Sequence, residues 1–126
     1  MPDIVSRQDL EKLLQAFYQQ ATVDEQIGYL FTEVAQLDLA EHLPIIVDFW
    51  ESVLFGSRQY QGNPMQKHIA LSAQEPLTAL HFERWLDLWR QTVQSHFAGP
   101  KAEEAMSRAT QIASLMQFKI KQAAEG

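Results

Sequence analysis

Four polar side chains sit on stretches that otherwise read as core: Tyr18, His42, His68 and Trp85. Each has a chemistry and a plainer alternative. His68 follows a helix start in YQGNPMQKHIAL, residues 60–71, where Asn63 is placed to cap and Pro64 to open the first turn. An imidazole fixed one turn into a short helix is what an iron or zinc site needs, and the alternative is a surface or capping histidine. His42 and Ile46 are four apart and share a helix face, although His42 also suits an exposed first-turn position. Tyr18 closes an apolar stripe, so its hydroxyl either bonds a nearby carbonyl or is a donor aimed into a pocket. Trp85, four residues before Trp89, is either packing or an indole N–H offered to a ligand. His81 and His96 read as exposed.

Several chemistries are excluded. There is no cysteine, which removes disulfides, thiolate zinc, iron–sulfur clusters and cysteine nucleophiles. No P-loop, G-x-G-x-x-G, H-E-x-x-H or G-x-S-x-G motif occurs. No Glu-x-x-His pair occurs either, which argues against a di-iron carboxylate bundle. A bare zinc would want three or four ligands, and no such set is evident. Two histidines on different helices with aromatics between them suit a flat apolar cofactor better than a bare ion.

The elements that carry these residues are helical. Ser6 and Asp9 have capping-box spacing, and Leu10, Leu13, Leu14, Phe17 and Tyr18 follow as one stripe. Asp24 is placed to cap a short second segment that ends in Tyr29, Leu30 and Phe31, with Phe31 reading as core. Asp38 precedes a helix whose stripe is Leu39, Leu43, Ile46, Trp50, Val53 and Leu54, widened by Ile45 and Phe49. Pro44 within it predicts a kink or an irregular first turn around His42. Pro76 is placed to start a long helix with Leu77, Leu80, His81, Arg84, Trp85, Leu88 and Thr92 on one stripe. After Gly99-Pro100 a last helix runs over residues 101–124. The architecture is all-α, with five to six helices in a single domain, residues 1–126. Apolar residues at 46% and charged residues at 21% suit a folded globule. The net charge of −6 and ten scattered basic residues argue against nucleic acid and anionic membrane partners. No signal peptide or membrane span is read, so the expected compartment is the cytoplasm.

The runs HLPIIVDFW (42–50), YQGNPMQKH (60–68) and HFERWLDLW (81–89) resemble those of a group III truncated haemoglobin. FYQQ (17–20) and Phe31 fit the same pattern, and the likeness covers about residues 10–116. The double-glycine motifs of groups I and II are absent, in agreement. The resemblance implies a truncated globin-like helical sandwich that binds haem b, iron protoporphyrin IX. It implies His68 as the proximal iron ligand and Phe31 as the aromatic against the haem. Tyr18, His42, Ile46 and Trp85 match the distal positions, with His42 a candidate distal iron ligand. Arg58 and Lys67, beside the proximal stretch, are candidate partners for the haem propionates.

Two functions follow from different premises. The first is a haem protein that binds dioxygen, carbon monoxide and nitric oxide. Two donors, Tyr18 and Trp85, over a ligand that gains negative charge favour retention and polarisation over release. That favours redox chemistry, peroxidase-like or nitric oxide-detoxifying, fed by a reductase, over oxygen transport. The second is a cofactor-free helical interaction module, in which His68 is structural and the tryptophans are core. The expected state is a monomer, because no large apolar helix face remains after the core is assigned.

Overall fold

Ser6 starts the first helix as its spacing predicts. In this computed structural model, which describes all residues but 59–61, 63 and 126, and the backbone alone of 64–66 and 69, helix α1 spans Arg7–Ala21. The Ser6 hydroxyl accepts from the Asp9 N–H at 3.3 Å, and Asp9 reaches back one residue further, to the Val5 N–H at 2.9 Å. Leu10, Leu13, Leu14, Phe17 and Tyr18 are all buried. Each such side chain contributes roughly 1.5–3 kcal/mol by leaving water.

The second segment differs from its sequence reading. The Asp24 carboxylate accepts from the Gln26 and Ile27 N–H groups, forming a turn. One turn of π-helix, Leu30–Val34, then follows, closed by the Ala35 N–H on the Leu30 carbonyl at 2.9 Å. Tyr29, Leu30 and Phe31 therefore open this segment and do not end it. Gly28 is required just before it, because a Cβ there would lie 2.7 Å from the Thr22 carbonyl oxygen.

Helix α2 spans Leu39–Phe55 and is capped by Asp38. The helix runs unbroken through Pro44. The His42 N–H bonds the Asp38 carbonyl at 2.8 Å, so the first turn is regular. Pro44 costs only the one bond that its missing N–H would have made to Ala40. Val47 is buried on this helix, whereas Ile45 is 41% exposed and does not widen the stripe.

Helix α3 spans Pro64–Gln74 and helix α4 spans Ala79–His96. Asn63, the expected cap of α3, lies outside the described residues. The start of α4 falls after Pro76 because Thr78 forms a capping box with His81. Leu80 is exposed and Phe82 is buried in its place. Helix α5 spans Pro100–Glu125. Its first turn is capped from far away: Asp3 accepts from the Lys101 and Ala102 N–H groups at 2.9 and 2.8 Å. Helix α1 packs on α2 and α4, α4 packs on α5, and α3 packs on α5. Trp89, Phe17 and Leu13 are among the most deeply buried side chains. Among the described residues no strand occurs.

Candidate functional site

Helices α1 and α2 bring together two of the residues singled out in the sequence. The Tyr18 hydroxyl lies 2.8 Å from His42 Nε2. Their rings meet edge to face at 5.4 Å. Neither plainer alternative holds: Tyr18 bonds an imidazole and not a carbonyl, and His42 is half-buried, not exposed. Burial keeps the Tyr18 phenol protonated well above its ordinary range. Burial also pushes the His42 imidazole down, and the charges of Lys67 and His68 add to that. Helix α3 therefore presents Lys67 and His68 within electrostatic reach of His42. Two neutral groups facing each other share one hydrogen bond. If His42 carries its proton on Nε2, that N–H donates to the Tyr18 oxygen and leaves the phenol proton for a third group. If the proton is on Nδ1, Tyr18 must donate to Nε2 instead.

The other candidates surround this pair. Phe31, on the π turn, is half-buried and meets Tyr18 edge to face at 5.8 Å. Ile46, one turn beyond His42, is half-buried. Trp85 is half-buried on α4, edge-on to Phe17 at 6.2 Å and parallel to Trp89 at 6.3 Å. His68 is half-buried, while Arg58 and Lys67 are exposed. His68 and Tyr18 thus approach His42 from different helices, α3 and α1.

Four contacts were missed by sequence reading. Arg84 donates through Nε and Nη2 to one Asp24 oxygen at 2.9 and 2.7 Å. The Arg84 hydrogen bond, with the Gln26 and Ile27 N–H groups, holds the Asp24 carboxyl below its ordinary range against its burial. The signal was present, since a charged residue on the apolar stripe beside Trp85 needs a buried partner. His81 and His96 are half-buried and bonded, not exposed. The Thr78 N–H donates to His81 Nδ1 at 3.0 Å, so in the neutral ring Nε2 donates to the Tyr29 hydroxyl at 3.1 Å. His96 Nδ1 donates to the Thr92 carbonyl at 2.9 Å.

The donor set can be tested against candidate cofactors. Among the described residues no cluster of three or more His, Asp or Glu side chains could hold a bare ion. A prosthetic group that brings its own equatorial ligands asks for less. It needs one imidazole, an apolar slot and polar groups on the opposite side. His68 is such an imidazole. Ile46, Phe49, Val53, Leu77, Trp85 and Met106 are apolar, half-buried and packed on the core's edge. These residues fit a haem.

A family model described as bacterial-like globin matches residues 3–118. The chain belongs to this family. It is 27% identical over 118 residues to group 3 truncated hemoglobin ctb of Campylobacter jejuni, covering 91% of each. The crystal structure of a group III truncated hemoglobin from Campylobacter jejuni matches with a TM-score of 0.83 and 27% identity over 95% of each chain. The resemblance in the sequence is borne out, as is the all-α truncated globin architecture. Globins as a family use haem to bind small diatomic ligands. No described helix is long and apolar enough to cross a membrane.

Proposed function

We propose that this chain binds haem b through His68 and holds a diatomic ligand, such as dioxygen, carbon monoxide or nitric oxide, on the side of Tyr18, His42, Ile46 and Trp85. The observation that carries the reading is the Tyr18–His42 bond of 2.8 Å at a half-buried apolar edge. Bound haem supplies an iron with an open coordination position and one-electron chemistry. The chain's own residues do the rest. His68 offers an imidazole nitrogen from one side. Phe31 packs against the ring and Ile46 limits the space above it. Arg58 and Lys67 are cations at the rim for the propionates, although both are exposed and each contributes little.

Tyr18 is the principal donor. Its phenol stays protonated, and a neutral His42 with its proton on Nε2 orients that phenol toward the ligand. Trp85 adds a second N–H. A ligand that gains negative charge is then retained and polarised. This supports redox chemistry on oxygen, peroxide or nitric oxide, fed by a reductase to a monomeric cytoplasmic protein, over oxygen transport. The oxygen dissociation rate tests it. Slow release that quickens in Tyr18→Phe and Trp85→Phe is expected, and fast release unaffected by either change overturns the redox reading. Absorption spectra in the ferric, ferrous and carbon monoxide states test the cofactor. A colourless protein that refuses added haemin would leave the interaction-module reading standing.

A further inference from the structure

Three indoles are stacked through the middle of the fold. Trp85 and Trp89 lie with centroids 6.3 Å apart and planes 6° from parallel. Trp89 and Trp50 lie 4.7 Å apart and 20° from parallel. The stack runs from a half-buried ring, Trp85, to rings that are 1% and 2% exposed, Trp89 and Trp50. Phe17 bridges it to the Tyr18 side, edge-on to both Trp85 and Trp89. Aromatic pairs in proteins favour offset or edge-to-face contact, and edge-to-face is what Phe17 makes with each neighbour. The three indoles instead lie nearly parallel and offset from one another.

The geometry points to a hole relay: Trp85, Trp89 and Trp50 carry one-electron oxidising equivalents from the haem pocket into the core at α2. This rests on the haem reading above. Electron exchange is fast between neighbouring aromatic rings, and indole is among the most easily oxidised neutral side chains. The hydrogen bond on Trp89 also suits transfer. Its Nε1–H donates to the Ala105 carbonyl at 3.1 Å. A carbonyl stabilises positive charge on the ring but is too weak a base to take the proton. An oxidised Trp89 therefore stays a radical cation and can pass the hole on. A cation on one buried ring is costly, and sharing it over parallel neighbours lowers that cost.

The oxidant is hydrogen peroxide. Each molecule takes two electrons and two protons at the haem and leaves as two waters. The electrons come one each from two indoles, which become radical cations, and the protons come from solvent. Tyr18 is the rival donor in the tautomer with His42 protonated on Nδ1, since its phenol proton can then move to His42 Nε2 as its electron leaves.

The test uses the ferric, haem-loaded protein mixed with stoichiometric hydrogen peroxide, freeze-quenched and read by electron paramagnetic resonance. An organic radical signal that narrows when ring-deuterated tryptophan is incorporated is expected. Its yield is expected to fall at least fivefold in Trp89→Phe, which keeps an aromatic ring but breaks the relay, with the Soret band unchanged. Trp50→Phe, at the far end, shortens the radical's lifetime and covers the case in which Trp89→Phe does not fold. A signal insensitive to tryptophan deuteration, or one unchanged in the variants that fold with haem, overturns the relay while leaving the haem reading intact. Absence of any Soret band overturns both.

Discussion

On the proposed reading the ligand chemistry turns on the Tyr18 hydroxyl, because its proton has two destinations. It either goes to His42 Nε2, 2.8 Å away, or it is offered to whatever occupies the pocket. Tyr18→Phe removes the choice and keeps the ring contacts with Phe17 and Phe31. A single hydrogen bond in such a place contributes about 1 kcal/mol, or roughly a fivefold change in rate. On the haem reading, Tyr18→Phe releases dioxygen about fivefold faster, measured by stopped-flow displacement with carbon monoxide. The fold is expected to lose little, about 1 kcal/mol in urea denaturation, because half-buried His42 regains water. A variant that released oxygen at the parent rate would place the proton permanently on the His42 side.

At the scale of elements, the arrangement depends on how α5 begins. Nothing next to Pro100 caps it. The cap comes from the N-terminal segment, where Asp3 accepts from the Lys101, Ala102 and Ile4 N–H groups. Burial alone would raise the Asp3 carboxyl, but these bonds and the Lys101 charge outweigh it and hold the group below its ordinary range. The cap is therefore at full strength above a carboxylate's unfolded value, about 3.9, and is lost as pH falls through the lower folded value. Asp3→Ala is expected to cost about 1–2 kcal/mol at neutral pH, with the difference from the parent closing in strong acid. Urea midpoints at two pH values measure it, and a difference that persisted unchanged in acid would sink the capping account. Gly99 enables the same contact. Its φ is +141°, and a Cβ there would lie 2.6 Å from Asp3 Cγ. Gly99→Ala should cost about 1–3 kcal/mol by the same measurement, from strain and from displacing the cap.

Across the whole molecule, the helices were legible and their meeting points were not. Leu10 through Tyr18 repeat at helical spacing, so one face had to be buried, and it is. Ser6 and Asp38 cap where their side chains can reach a neighbouring N–H, which is a local property. Pro44 misled because its penalty is one lost bond, which α2 absorbs. The π turn was missed because its bonds have no sequence period. The site divides in the same way. Tyr18, His42 and Trp85 stood out as polar groups on apolar stripes. That Tyr18 bonds His42, or that Arg84 bonds Asp24 across 60 positions, depends on how helices cross. No spacing along the chain encodes that. Trp50 and Trp89 read as members of apolar stripes, and their nearly parallel arrangement with Trp85 required the structure.

On the haem reading, the same crossings make the cofactor part of the fold's stability. The apolar edge of Ile46, Phe49, Val53, Leu77, Trp85 and Met106 is half-buried, so its burial is incomplete in the bare chain. A haem covering that edge would bind the folded state and not the unfolded one. By mass action, free haemin at 100 times its dissociation constant adds about 2.7 kcal/mol. Thermal unfolding followed by circular dichroism should therefore shift upward by several degrees on loading. On the proposed reading His68→Ala removes the anchoring nitrogen, so both the Soret band and most of the shift are expected to disappear. The same change should leave the unfolding of the unloaded chain within about 1 kcal/mol of the parent, because His68 is half-buried on the surface of α3. A His68→Ala protein that kept the full haemin-dependent shift would show that the slot alone holds the ring, and would move the anchoring role to another residue, with His42 the first to be tested.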